Sequence, residues 1–195
     1  MGVAMRYVIL TMILVANAAA GGTSRDRLVV RAIVEDPSVV DWTMLTNAKL
    51  VATGILKQAE VELKWSKGDR QHSCCERLIA ITFSARTPDS LLPGAMGYAL
   101  PYSNGSARIT VFLDRLQPLF ARTPNSRGSI LGHVMAHELA HVLQGVARHA
   151  DHGLMKKRWS EDDIQQMGVK PLAFTAVDLL LIRTGMTRCS TLVEE

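Results

Sequence analysis

The segment His137-Glu138-Leu139-Ala140-His141 constrains this chain more than any other stretch. Two histidines four apart can serve one metal ion only if they sit on a helix, where they share a face about one turn apart. The surrounding residues predict that helix. Ile130, Leu131, Val134, Met135, Leu139, Val142 and Leu143 recur at helical spacing, so a helix is expected from Ser129 through Gln144, with Gly145 as its stop. This apolar arc leaves His137 and His141 toward its edge, so packing does not require them. Gly132, Ala136 and Ala140 form a small-residue stripe at spacing four, which lets a helix or sheet approach closely. The rest of the chain must supply what covers the arc.

Leu28 to Val34 is an apolar, β-branched run of strand length ended by Glu35-Asp36-Pro37. Ser38 can then cap a helix of about five turns whose inner stripe is Leu45, Ala48, Ala52, Ile55, Leu56 and Ala59. Val61, Leu63 and Trp65 alternate with Glu62 and Lys64 as in a half-buried strand, and Leu78 to Phe83 is another. Met96–Pro101 and Arg108–Asp114 flank Asn104-Gly105, a hairpin signal, and Pro101 places the first arm at a sheet edge, where an extended peptide can be held. Pro118 to Gly128 reads as loop. Ser160-Glu161-Asp162-Asp163 reads as a capped helix start, and Thr175 caps a last helix from Ala176 to Thr184 that Gly185 closes. Neither an internal repeat nor a low-complexity segment interrupts this order.

With 48 % hydrophobic and 21 % charged residues, the chain can bury a core, and a formal charge of +4 without a basic block does not argue for nucleic acid as a partner. Arg6, the apolar run Tyr7–Val15 and the small residues up to Ala20 have the form of a secretory signal, too short for a hydrocarbon core of roughly 20 residues. Residues 1–20 are therefore expected to be a cleaved signal peptide and 21–195 a single exported domain, periplasmic or extracellular, with no membrane anchor after cleavage. The first strand begins soon after that cleavage point, so no pro-segment is expected. In an oxidising compartment, Cys74 or Cys75 could bridge to Cys189, leaving one thiol free, or the adjacent pair could stay reduced.

The chemistry follows from the motif. Both imidazoles can reach one zinc ion, while Glu138, rotated by roughly 100° from His137, flanks the ion without ligating it and is placed as a general base. A catalytic zinc needs a third protein ligand and an open position. The candidates are His149, Asp151, His152 and Glu161, with His149 favoured because the chain turns after Gly145 and can bring it back beneath the helix. His133, one turn before His137, is either a supporting partner or a residue near the surface.

These residues resemble the metzincin metallopeptidases, whose pattern is H-E-x-x-H-x-x-G-x-x-H followed by a methionine turn. Here the glycine is Gly145, one place late, and the third histidine is His149, two places late. Gly153-Leu154-Met155 resembles the methionine turn, with Met155 fourteen residues after His141. The order of elements is similar to the metzincin N-terminal layout, with Gly97–Pro101 resembling the edge strand that lines the cleft. The stretch from the motif to Trp159 also resembles a set of small exported bacterial metallopeptidase-like proteins. The resemblance implies an α+β fold: a twisted mixed sheet of about five strands with an antiparallel edge strand, an active-site helix, a backing helix and a C-terminal helix. It implies a zinc-dependent endopeptidase acting on a protein or peptide substrate, with His137, His141 and His149 as metal ligands, Glu138 as catalytic base and Met155 beneath the metal. Two alternatives stand beside it. One is a gluzincin-type peptidase with Glu161 as third ligand; the other is a non-catalytic exported module that binds zinc or a protein on a degenerate protease fold.

Overall fold

Alternating apolar residues build the sheet. The computed structural model describes residues 28–66, 77–91, 94–103 and 106–190. The expected signal segment 1–20, Cys74, Cys75 and the Asn104-Gly105 turn lie outside these residues, as does the bridge considered for Cys189. The strands β1 (Leu28–Glu35), β2 (Val61–Ser66), β3 (Arg77–Ser84), β4 (Gly97–Ser103) and β5 (Ser106–Phe112) form one mixed sheet in the order β2-β1-β3-β5-β4. β1 pairs in parallel with β2 and β3, β3 in parallel with β5, and only the edge strand β4 is antiparallel. Pro101 falls where the β4–β5 register shifts, between Leu100 and Ser103, so its missing N–H interrupts no regular ladder.

Val30, Ala32, Ile79, Ile81, Ile109 and Val111 are fully buried on one face of this sheet. Helix α1 (Trp42–Lys57) contributes Leu45, Ala48, Ala52, Ile55 and Leu56 to the core beside it, the stripe read from the sequence. Helix α3 (Arg127–Gln144) packs along α1 and reaches β4 and β5. The small-residue stripe makes this approach possible: a Cβ on Gly132 would stand 2.7 Å from the Ala48 carbonyl oxygen and from Val51 Cβ. Helices α4 (Glu161–Met167) and α5 (Ala176–Ser190) complete the chain, and both begin with the expected caps. Ser160 and Asp163 form a reciprocal capping box, and Thr175 and Asp178 exchange the same pair of bonds.

Four boundaries differ from expectation. Ser38 does not cap α1; it lies in a 3-10 turn, Pro37–Val39, and Val40 is extended, so the helix starts at Trp42 with Asp41 accepting the Met44 amide at 2.9 Å. Strand β5 ends at Phe112 rather than Asp114, because Asp114 turns to accept the amide and hydroxyl of Thr87. The stretch Pro118–Gly128 is not a loop. It holds the end of helix α2 (Leu113–Arg122), a 3-10 turn at Pro124–Ser126 and the first turn of α3. Pro118 lies inside α2, where burial of Leu116 and Phe120 outweighs the lost backbone bond. Finally, α5 runs through Gly185 to Ser190. Gly128 and Gly185 are approach sites rather than breakers: a Cβ on Gly128 would stand 2.8 Å from Asn47 Cβ, and one on Gly185 would overlap the Leu143 carbonyl oxygen.

Candidate metal centre

His137 and His141 stand one turn apart on α3, and Gly145 ends the helix in the left-handed region at φ 67°, its amide bonding to the His141 carbonyl at 3.1 Å. The chain then doubles back. The Ala150 amide bonds to the Met155 carbonyl at 2.7 Å, closing a tight turn in which Gly153 has φ +75° and Leu154 donates to the Ala173 carbonyl at 2.8 Å. This return carries His149 to the two helical histidines. One ring nitrogen from each of His137, His141 and His149 lies within 4.8 Å of the others. Among the described residues no other such group of three or more metal-ligating side chains forms.

The rings are held in place by specific partners. His137 Nδ1 donates to the Leu154 carbonyl at 2.9 Å, which leaves the lone pair of its Nε2 toward His141 Nε2, 3.0 Å away. The indole N–H of Trp159 donates to the same carbonyl at 3.1 Å, and the indole meets the His137 ring edge-on. Arg148, next to His149, forms a 2.8 Å ion pair with Asp178, whose side chain is fully buried. Met155, the residue after Leu154, is fully buried.

Burial sets the charge states. His137 is pushed down to about 3 by burial and then by the charge of His141. His141 is pushed down to about 4 by burial and then by His149, while His149 is lowered by burial and by Lys157. All three imidazoles are therefore neutral at pH 7, the form that donates a lone pair. Three nitrogens around a tetrahedral zinc at roughly 2.0–2.1 Å would stand about 3.3 Å apart, so the 3.0 Å separation of His137 and His141 fits that ion. Glu138 is only 7 % exposed, and burial pushes its carboxyl up to about 8.

The triad and Glu138 form the base of a cleft of about 730 Å³ between β4 and the segment 156–159. Met96, Gly97, Tyr98 and Ala99 make one wall; Val146, Lys157 and Trp159 contribute to the other. Gly97 allows β4 to lie against Glu138, since a Cβ there would stand 2.7 Å from Glu138 Cγ and 2.8 Å from its Oε1.

Other candidates from the sequence lie elsewhere. Glu161 is on the surface at the start of α4, paired with Arg122 at 3.4 Å. Asp151 and His152 are exposed and outside the group. His133 is fully buried rather than near the surface: its Nδ1 donates to the Ser129 carbonyl at 2.7 Å and its Nε2 accepts the Leu172 amide at 3.0 Å, so it ties α3 to the segment before α5. The Arg148–Asp178 pair has no signature in the sequence, and Gly97 is legible only as the first residue of the edge strand. Thr175-x-x-Asp178 is a readable capping pattern, but nothing in it foretells the ion pair, and nothing around Gly97 foretells its contact with Glu138.

No protein-family model matches the chain, and no curated protein matches it. Among solved structures it is similar to archaemetzincin from Methanopyrus kandleri at 16 % identity and a TM-score of 0.51, over 85 % of this chain and 99 % of that one. Metalloproteinase-II from Bacteroides fragilis matches at 17 % identity and a TM-score of 0.49, over 81 % of this chain, which spans about half, 52 %, of that longer chain. The GM1-bound form of the ECX AB5 holotoxin matches at 11 % identity and a TM-score of 0.46, over 81 % of this chain and 80 % of that one. The likeness to archaemetzincin places the chain in that α+β fold.

Proposed function

We propose that this chain is an exported zinc-dependent endopeptidase of the metzincin kind, with His137, His141 and His149 as metal ligands, Glu138 as general base and Met155 as the methionine of the turn below the metal. The observation that supports it most is the convergence of three neutral imidazoles beside a buried carboxyl at the base of an open cleft. The archaemetzincin-like fold agrees with it. Zinc bound there supplies a Lewis acid that acidifies a water and polarises a peptide carbonyl.

The chain's own residues do the rest. The outer edge of β4 has no strand partner among the described residues, so an extended peptide can add to it and bring a scissile bond over the histidines. Glu138, one residue along from His137, takes a proton from the attacking water at its carboxylate and returns it to the leaving amine. Its raised affinity for protons suits the return of the proton to the amine, and a cation bound beside it would lower that affinity and favour the carboxylate as base.

The test is zinc per chain by mass spectrometry, for wild type, His149→Ala and Glu161→Ala, with peptide hydrolysis by Glu138→Gln. One zinc lost only with His149, and hydrolysis lost with zinc retained in Glu138→Gln, is the expected result. Loss with Glu161 instead would move the chain to the gluzincin arrangement. A non-catalytic zinc-binding module is the alternative, favoured by His149 standing two places later than the third histidine of the metzincin pattern. Stoichiometric zinc with no cleavage of any peptide library would establish that reading.

A further inference from the structure

The cleft is electrostatically one-sided. Three consecutive cations, Lys156, Lys157 and Arg158, line it, against Glu138 as the one acidic side chain among the described residues that line it. Lys156 is already neutralised by its ion pair with Asp163, the residue that also caps α4. Lys157 and Arg158 are exposed and have no carboxylate partner among the described residues. Lys157 is close enough to His149 to lower its proton affinity. Arg158 reaches across the end of the cleft: its Nε lies 3.8 Å from where a Cβ on Gly94 would stand, on the approach to β4. A guanidinium with five N–H donors and no carboxylate partner among the described residues thus spans one end of the cleft that the histidines also line, and such a planar fork matches a carboxylate in two parallel hydrogen bonds.

We propose that the cleft selects peptides carrying a carboxylate close to the scissile bond, gripped by Arg158 and attracted by Lys157. The inference rests on the reading of the cleft as a peptide site. The carboxylate can be an aspartate or glutamate side chain or the free α-carboxylate of the peptide, and the probes separate these. The exposure of both cations makes the expected discrimination modest, and the protein's overall charge of +4 adds long-range attraction of the same sign.

The experiment measures binding, so that it does not depend on turnover. Zinc-loaded Glu138→Gln protein is titrated by fluorescence anisotropy with labelled peptide sets that differ only as Glu, Gln or Lys at each position of a central hexapeptide, each set with a C-terminal acid and a C-terminal amide. The expected Kd order is Glu tighter than Gln by roughly fivefold, with Lys weaker than Gln, the scale of a partly screened ion pair. Raising salt to about 1 M, where the screening length is near 3 Å, should erase the difference. Arg158→Glu should reverse the order, so that Lys peptides bind best, and Arg158→Ala should narrow the gap between Glu and Gln to the smaller share that Lys157 supplies. A gain on the acid form alone, with no effect of internal Glu, assigns the grip to the terminal carboxylate. Equal Kd values across Glu, Gln and Lys in the wild-type cleft, in both terminal forms, overturn the inference. A preference for Glu without hydrolysis by the native protein would retain the carboxylate grip and remove the peptidase reading, so the two failures are distinct.

Discussion

The buried carboxyl of Glu138 should make the metal-free protein lose stability as the pH rises through neutrality. Its proton affinity is raised from 4.5 in an unfolded chain to about 8 in the fold, so between those values the native state holds a proton that the unfolded state has released. Stability from this group is then fully present below 4.5 and is lost as the pH rises toward 8, by about 1.4 kcal/mol per unit. The histidines act in the opposite direction. His137 and His141 fall from 6.5 to about 3 and about 4, so protonation of the unfolded chain erodes stability as the pH drops below 6.5. Between pH 6.5 and 8 the histidines of the unfolded chain finish losing their protons, a gain that wild type and Glu138→Gln share, so the difference between the two isolates Glu138 and should grow by about 1.5 kcal/mol over that interval. Urea unfolding of chelator-treated wild type and Glu138→Gln across that interval, with m-values held equal, measures it. The midpoint of Glu138→Gln should gain steadily on that of wild type toward pH 8. Parallel curves for the two proteins would refute the claim that Glu138 is buried with its proton.

Three further outcomes follow from named contacts. Gly97→Ala should push the Glu138 carboxyl out of place, since the new methyl would sit 2.7 Å from its Cγ, leaving zinc content intact while kcat for peptide hydrolysis falls by about a hundredfold. Arg148→Ala should leave Asp178 buried without its cation and release the residue beside His149, lowering zinc affinity about tenfold in a chelator competition and stability by about 2 kcal/mol. Gly185→Ala should cost roughly 1–3 kcal/mol in urea unfolding, because its methyl would overlap the carbonyl at the end of α3.

What was legible in the sequence is what depends on period. The alternation of β2, the stripe of α1 and the arc of α3 each determine which face is buried, and the sheet and helices follow. Glycine and proline mislead because their local preferences take no account of the segments packed against them. Gly128 and Gly185 look like breakers, yet each sits in a helix where another segment's backbone or side chain fills the space of a missing methyl. Pro118 looks like a loop, yet Leu116 and Phe120 on its helix are buried well enough to hold the turn around it. In each case a tertiary contact outweighs a local cost of a few kcal/mol at most.

The third histidine shows the same principle at the site. A metal constrains where a ring nitrogen lies in space, not how many residues separate two ligands, so a loop two residues longer than the metzincin pattern is tolerable if its ends and its exit are fixed. Here the entry is fixed by the left-handed Gly145, the exit by the Ala150–Met155 bond, and the span between by Arg148 on the buried Asp178. The extra length is thereby taken up ahead of His149, and the turn behind it still presents the Leu154 carbonyl to His137. If that account is right, deleting one residue between Gly145 and Arg148 should harm zinc binding more than Arg148→Ala does, because the anchors would then pull His149 away from His137 and His141. Equal zinc affinity for the deletion and the parent chain would show instead that His149 is free to find the metal without its anchors.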